Sequence, residues 1–272
     1  MANFLKKSLF IILEIAPIVI IGIFFGFIGV IIGFFVSLII LVRYILHYEE
    51  ELFLYIYKAR PAVAGELPVV HKITTLLSSR KGVPMPSIFF TDIPLPGSFI
   101  IGKSPVNTKL VIPVRVINFL KDVELETMIA YNIAQIGPEI HRRTRIALIA
   151  SLLTMSASLA RSGAVLVGFG DLDDPMPRFI GKFIKGLISP PAATLVQLIS
   201  RKNYDPEAFS LYKNQDIMVS TIKRLEENNV RANPSIGVLC FIDPGNEDFF
   251  DELFVTHLPT ELRITKLYQE VN

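Results

Sequence analysis

The chain has 272 residues, of which 51% are hydrophobic and 19% charged, and its mean hydropathy is +0.49. This is too apolar for an ordinary soluble domain of that length, so the composition indicates a membrane protein. The net charge of +2 comes without a dense lysine and arginine stripe, which argues against a nucleic-acid partner. A single cysteine, Cys240, excludes an intrachain disulfide and a cysteine-based zinc site.

The first long apolar segment, residues 8–44, contains two formal charges, Glu14 and Arg43. As one helix it would be roughly 55 Å long, nearly twice the thickness of a hydrocarbon core. We therefore predict a transmembrane hairpin within residues 1–48, with its turn near the glycines of 26–29. Lysines and arginines flank both ends, so both ends should be cytoplasmic. The expected location is the cell membrane, with several spans and the main domain in the cytoplasm.

A second pair of apolar segments, 146–170 and 179–199, is separated by the acidic sequence "DLDDPMPR". We predict a second transmembrane hairpin over 146–199 with this loop outside. Cations lie within the spans, all towards the outer end, where they could reach the interface: Arg161, Lys182 and Lys185. Because the adjacent prolines Pro190 and Pro191 would kink the last span, a re-entrant or interfacial helix pair is the alternative.

The remaining segments, 49–145 and 200–272, have the alternating patterns of a mixed α+β domain. Apolar residues in "ELPVVHKITTLLSSRKG" have the spacing of a helix. Three short strands are predicted at "PSIFFTD", "SFIIG" and "KLVIPV". Two helices are predicted at about 114–121 and 123–136, and further helices at "DPEAFSLYKNQD", "DIMVSTIKRLEENN" and "PTELRITKLYQE". The sequence thus predicts one cytoplasmic domain built from two parts on either side of the second hairpin.

The order of these segments resembles the HtpX-type membrane zinc metallopeptidases over about half of the chain. "PLPGSFIIGKSP", "VIPVRVINFLKDVELETMIAYNIAQIG" and "SRKNYDPEA" are similar to three family segments. The most specific match is "FVTHLPTELRITKL", in which His257 and Arg263 fall in register with the family's closing motif. The resemblance implies a zincin-like (gluzincin) cytoplasmic domain, and a structural role for His257 in bracing the last helix.

The family's metal-binding residues are replaced in this chain. The two zinc-binding histidines of H-E-x-x-H fall on Tyr131 and Gln135, and the catalytic glutamate falls on Asn132. The third ligand falls on Asn203, and Glu207 keeps the acidic residue four positions later. A phenol and neutral amides lack the charge and softness that hold Zn²⁺, and an amide cannot act as a general base. We therefore predict no metal and no other cofactor.

This loss of ligands favours a catalytically inactive family member that serves as a binding, assembly or accessory subunit. The strand around Lys109, Leu110, Val111 and Ile112 resembles the family's substrate-side edge strand, which could recruit an extended polypeptide without cleaving it. The expected partners are the lipid bilayer, other membrane proteins or such a polypeptide. The alternative is an atypical membrane zinc metalloendopeptidase in membrane-protein quality control.

A second protease motif, the "GFGD" of residues 168–171, resembles that of intramembrane aspartyl proteases, with Asp205 as the second carboxylate. Asp171 and Asp205 are predicted at opposite membrane faces, roughly 30 Å apart, whereas a carboxylate dyad must share a proton. The sequence therefore favours an outer turn at Asp171.

Overall fold

The computed structural model describes residues 26–63, 65–200, 202–246 and 248–269. The chain divides into two compact units, Met1–Tyr57 and Lys58–Asn272.

In the first unit, helix α1 spans Gly26–His47 and helix α2 spans Glu49–Ile56. Residues 26–29 are helical, so the reversal predicted at these glycines is wrong. The first span of the predicted N-terminal hairpin lies outside the described residues.

The second unit contains one four-stranded mixed sheet in the order β1-β2-β4-β3. The strands are β1 (Arg60–Pro61), β2 (Ser87–Thr91), β3 (Phe99–Ser104) and β4 (Asn107–Pro113). Strand β4 runs parallel to β2 and antiparallel to β3. All three strands predicted from the sequence are present.

The predicted role of β4 as an edge strand is wrong, because Lys109, Leu110, Val111 and Ile112 all pair with neighbours in the middle of the sheet. The apolar sequence that suggested a substrate strand is instead that of a buried central strand. Strand β3 forms the edge, and its outer side is occupied: Gly102 N–H donates to Thr144 Oγ1 at 2.9 Å, and Phe99 forms a bridge with Cys240.

The helices of this unit agree in type and approximate position with the sequence predictions, except that the 3₁₀ helix at Pro234–Leu239 and the short helix at Phe249–Glu252 were not predicted. In chain order they are α3 (Pro68–Lys81), α4 (Val114–Phe119), α5 (Asp122–Ala134), α6 (Ile140–Leu166), α7 (Pro175–Ile199), α8 (Asp205–Tyr212), α9 (Gln215–Glu227), a 3₁₀ helix (Pro234–Leu239), α10 (Phe249–Glu252) and α11 (Thr260–Gln269). Local signals explain several of the ends. Helix α3 begins with Pro68 and ends at Gly82, whose φ of 72° suits a residue without Cβ.

The core is centred on α5. Met128, Ile129 and Ile133 are fully buried and belong to one apolar cluster with Leu110 and Ile112 of the central strand. Helices α3, α8 and α9 also pack against α5, so this helix is surrounded by protein. Its side chains are therefore fixed by tertiary contacts, which matters because α5 carries three of the residues that the resemblance assigned to the site.

Helices α6 and α7 pack along each other and form the second predicted hairpin, joined by a turn at 167–174. Helix α6 is long and apolar enough to cross a membrane, by length and composition, in the described part of the chain. Helix α7 continues through Pro190 and Pro191. Its outer face exposes large apolar side chains, with Phe179, Phe183 and Leu187 each more than 60% exposed.

Lys185 does not behave as the snorkelling cation expected from the sequence. Its ammonium contacts Asp248 and Asp251 at 2.9 Å each, and these carboxylates belong to the segment around α10. Further along α7, Gln197 donates to the Leu253 and Val255 carbonyls. Protein therefore packs beside α7 from Lys185 to Gln197, and the charge of Lys185 is paired with two carboxylates.

Candidate functional site

A cavity of about 210 Å³ lies at the base of the α6–α7 hairpin. Its lining comes from five places in the sequence: Tyr131 of α5, Arg143 of α6, Asn203, Asp205 of α8, and the closing segment with His257 and Arg263. The two parts of the domain, which precede and follow the hairpin in the sequence, therefore meet at this cavity. The cavity contains some of the residues that the family resemblance selected and leaves others out.

Tyr131 stands at the first of the two replaced histidine positions and faces the cavity. Its hydroxyl lies 3.0 Å from Nε2 of His257, and the Arg263 guanidinium lies 5.4 Å from the centre of its ring. Burial raises the pKa of the Tyr131 phenol well above its usual value, an effect only partly offset by Arg263. The side chain therefore stays a neutral phenol at physiological pH.

Asn132 and Gln135, the other two replaced positions on α5, do not line the cavity. The Asn132 amide donates to Ser98 Oγ at 2.6 Å and to the Met128 carbonyl at 2.9 Å. The Gln135 amide donates to the Leu239 carbonyl at 3.1 Å. Both side chains are buried and serve as internal links between elements.

Asn203 lines the cavity with Tyr131, but its side chain also has a local structural role. Its Oδ1 accepts the backbone N–H of Asp205 at 3.0 Å, next to the first turn of α8. Glu207 binds two lysines, with Lys81 at 2.7 Å and Lys202 at 3.2 Å. Its pKa is raised by partial burial, but the two lysines outweigh this and lower it overall.

The central charged pair of the site is one that the sequence did not single out. Asp205 accepts two hydrogen bonds from Arg263, at 2.6 Å from Nε and 2.5 Å from Nη2, and both residues are about 97% buried. Arg263 also donates to the Phe241 carbonyl at 2.7 Å. The arginine of the closing motif thus attaches α11 to α8.

His257 is held between Tyr131 and a second carboxylate. Its Nδ1 lies 3.0 Å from Asp243 Oδ1, and its backbone N–H donates to Asp243 Oδ2 at 2.9 Å. Burial raises the pKa of Asp243, but the charge of His257 and hydrogen bonds from His257 and Thr256 prevail and lower it to about 2. Asp243, His257 and Tyr131 therefore form a continuous polar chain that fixes the imidazole.

The residues at the replaced positions do not fit a zinc ion. Two amide oxygens, Asn132 Oδ1 and Gln135 Oε1, are buried without a hydrogen-bond partner, but they are neutral and zinc prefers imidazole, thiolate and carboxylate donors. The imidazole of His257, which lies beside Tyr131, already binds a carboxylate and the phenol. Within the described ranges, no group of three or more His, Cys, Asp or Glu residues is arranged to hold a metal ion.

The two aspartates of the second protease motif, Asp171 and Asp205, lie in different surroundings. Asp171 is exposed in the turn of the hairpin, whereas Asp205 is buried at its base and bound to Arg263. Helix α6 alone separates these ends by about 40 Å at 1.5 Å per residue. The two carboxylates cannot form a catalytic dyad.

Arg143 and Asp243 contribute to the site and were not anticipated. Arg143 belongs to the basic sequence "HRRTR" just before the second predicted hairpin, a position typical of a membrane flank, yet it is buried against the cavity. Asp243 lies in the irregular sequence "FIDPG", which has no periodicity that could predict its contact with His257. The only available signal was the position of His257 in the closing motif.

These features define a mixed α+β protein with an apolar helical hairpin and a polar cavity at its base. Comparison with known proteins then gives the family. Proteins named protease HtpX homolog match from Pyrococcus abyssi (30% identity, covering 88% of this chain and 86% of the relative), Sulfurihydrogenibium (28%, 88% and 86%) and Methanocaldococcus jannaschii (28%, 81% and 81%). The chain belongs to the HtpX family. No family model matches it, and no solved structure does.

Proposed function

We propose that this chain is a non-proteolytic member of the HtpX family, a pseudopeptidase that acts as a membrane-bound binding or accessory subunit. The observation that carries the proposal is the state of Tyr131. Its neutral phenol is hydrogen bonded to His257 and lies beside the Arg263 guanidinium, where the family pattern has a metal-binding histidine. A phenol that stays protonated lacks the imidazole nitrogen that binds Zn²⁺, so the first metal ligand of the family pattern is lost.

The second candidate function is that of a membrane zinc metalloendopeptidase with an atypical site. The names of the relatives favour it, since all of those compared are called proteases. For this chain it would require a ligand set other than Tyr131, Gln135 and Asn203. The two candidates therefore make opposite predictions about metal content and proteolysis.

The deciding experiment measures zinc and proteolysis on the same purified full-length protein in detergent. We expect less than stoichiometric zinc by elemental analysis and no cleavage of casein or an unfolded membrane protein, with or without added Zn²⁺. Cleavage that a chelator abolishes and Zn²⁺ restores, after contaminating proteases are excluded, would establish the second candidate instead.

A matched variant restores the family pattern at all four positions, Tyr131→His, Asn132→Glu, Gln135→His and Asn203→Glu. In the structure Asn132 and Gln135 are turned to Ser98 and Leu239, so we expect this variant to bind zinc only weakly without rearrangement. Stoichiometric zinc in the variant alone would show that the scaffold still supports the family site and that the four replacements abolished it.

We further propose that the protein crosses the membrane several times with the mixed α+β domain in the cytoplasm, organised as residues 1–48, 49–145, 146–199 and 200–272. The apolar face of α7 supports contact of the hairpin with lipid or with another membrane protein. Cys240 is fully buried, which keeps background labelling low. A cysteine introduced at Asp173 should react with an impermeant reagent from outside, and one at Glu226 should not; the reverse pattern would overturn this orientation.

The proposed partner is another membrane protein and not an extended polypeptide added to the sheet. Strand addition is not proposed, because the strand expected to receive the polypeptide is central. Affinity purification in mild detergent should recover a stable stoichiometric membrane partner. Recovery of the chain alone, or with many cleaved proteins in small amounts, would argue against the subunit function.

A further inference from the structure

The cavity at the base of the hairpin has an excess of positive charge. Four cationic side chains line it, Arg143, Lys202, Arg263 and Lys266, together with a single carboxylate, Asp205. That carboxylate is fully engaged by Arg263, at 2.5 Å and 2.6 Å. Of the other three cations, Lys202 pairs at 3.2 Å with Glu207, which lies outside the cavity, and no carboxylate of the cavity lining pairs with Arg143 or Lys266.

Arg143 is the most unusual of these cations. It is 3% exposed, and Nη2 donates to the Val238 carbonyl, but Nε and Nη1 are buried with no hydrogen-bond partner among the described residues. No carboxylate in the described part of the chain pairs with it. Its guanidinium instead lies 4.5 Å from the centre of the Tyr204 ring, and the Lys202 ammonium lies 4.6 Å from the same centre.

A buried guanidinium with two unused donors is unfavourable unless an anion completes it. The ring of Tyr204 offsets part of this cost through a cation–π contact, but it accepts no N–H hydrogen bond in the plane of the guanidinium. Because Nη2 lies between them and already donates to Val238, these two unused donors point to different sides of the guanidinium, and each would bind a separate oxygen of an anion. The missing component is therefore an oxyanion.

We propose that this cavity binds a phosphate group, with the buried Arg143 and the exposed Lys266 as its unpaired cations and Lys202, which Glu207 already pairs from outside the cavity, as a third. Phosphate is favoured over a carboxylate because its charge, about −1.5 to −2 at neutral pH for a monoester, better matches the cationic excess. The inference rests on the proposed function in one respect, since it assigns the cavity to an anion where the family pattern has a metal.

The location of the cavity limits the source of the phosphate. Arg143 lies in the first turn of α6, and Ser200 directly follows the end of α7, so both helices of the hairpin reach the cavity at the same end. If the hairpin enters a membrane, this end is at the level of phospholipid head groups. The phosphate is then that of a lipid, or of a soluble phosphate ion or monoester with the same chemistry.

The test is a binding measurement by titration calorimetry on the full-length chain in phosphate-free detergent buffer at constant ionic strength. One arm uses inorganic phosphate and the other a short-chain, water-soluble phosphatidic acid below its critical micelle concentration. We expect saturable binding at one site in at least one arm. At least about tenfold tighter binding of the lipid assigns the head group as the source, and similar affinities assign the soluble phosphate.

Variants locate the binding to the cavity. Arg143→Gln should weaken it by about tenfold or more, because charged hydrogen bonds are lost. Since this buried substitution could also impair folding, Lys266→Ala on the exposed face of α11 serves as the second variant, with an expected loss of about threefold to tenfold. Lys223→Ala is the matched control, because it removes an exposed helical lysine of α9 that does not line the cavity.

Absence of saturable binding in both arms, or equal affinity for the Lys266→Ala and Lys223→Ala variants, would overturn the proposal. Equally tight binding of acetate would overturn the choice of phosphate. The zinc measurement on the same sample separates the two proposals. Chelator-sensitive proteolysis would contradict the proposed function alone, whereas a zinc-free, inactive protein that binds no phosphate would contradict this inference alone.

Discussion

Helices α5 and α7 are both rich in apolar residues, yet they face opposite surroundings. Met128, Ile129 and Ile133 of α5 are fully buried in the protein, whereas Phe179 and Phe183 of α7 are more than 60% exposed. Among the polar side chains of α5, Asn132 and Gln135 form hydrogen bonds inside the protein, and Tyr131 lines the cavity. The outer face of α7 is therefore apolar and exposed, whereas the core around α5 is closed by apolar packing and specific polar contacts.

The largest expected effect comes from breaking the buried ion pair beside α5. Arg263→Gln leaves the Asp205 carboxylate buried without its partner, which should lower the free energy of unfolding by about 3–5 kcal/mol. The matched control is Arg178→Gln in α7, which removes an exposed contact with Asp173 and should cost at most about 1 kcal/mol. Denaturant unfolding in detergent measures both, and equal losses would remove the distinction between the two regions.

Acid should weaken the core through Asp243. Its pKa is lowered to about 2 in the folded protein, below that of an unfolded aspartate near 3.9. The ionised carboxylate therefore stabilises the fold above about pH 4, and this contribution of about 2 kcal/mol is lost as the pH falls towards 2. Asp243→Asn should flatten the unfolding free energy between pH 4 and 2, and an unchanged slope would show that another group dominates there.

A smaller effect is expected from the phenol of Tyr131. Tyr131→Phe removes the hydrogen bond to His257 and should cost about 1 kcal/mol of unfolding free energy. Tyr268→Phe, on the outer side of α11, is the control, with an expected change within about 0.5 kcal/mol. A double-mutant cycle with His257→Gln isolates the contact, and additive losses would mean that the two side chains are not coupled.

The smallest change in folding stability is expected on the apolar face of the hairpin. Phe183→Ser should alter the unfolding free energy in detergent by no more than about 0.5 kcal/mol, because the side chain is largely outside the protein. A fluorescent probe attached to Phe183→Cys should nevertheless be quenched by lipids labelled in their acyl chains, and a probe at Val106→Cys, in the exposed turn between β3 and β4, should not. Strong destabilisation by Phe183→Ser would place this face inside the fold.

Much of the architecture follows from local sequence signals. Short apolar strands, Pro68 and Gly82 at the ends of α3, and helical spacing around α5 and α9 predicted the elements of the α+β domain within a few residues. The closing motif with His257 and Arg263 indicated the family, and relatives from archaea and bacteria confirm it. These features depend on neighbours in the chain, which is why the sequence alone reveals them.

The order of the strands and the contents of the cavity depend on contacts between distant residues. "KLVIPV" reads the same whether a strand is at the edge or in the centre, and only pairing with both β2 and β3 decides between them. A basic cluster likewise does not distinguish a membrane flank from a buried guanidinium such as Arg143. The sequence determined which residues replace the family's metal ligands. The fold decided that Tyr131 faces the cavity, whereas Asn132 and Gln135 form hydrogen bonds inside the protein. Helical periodicity does not determine this difference, because Asn132 and Gln135 each have a hydrogen-bond partner in a neighbouring helix or loop.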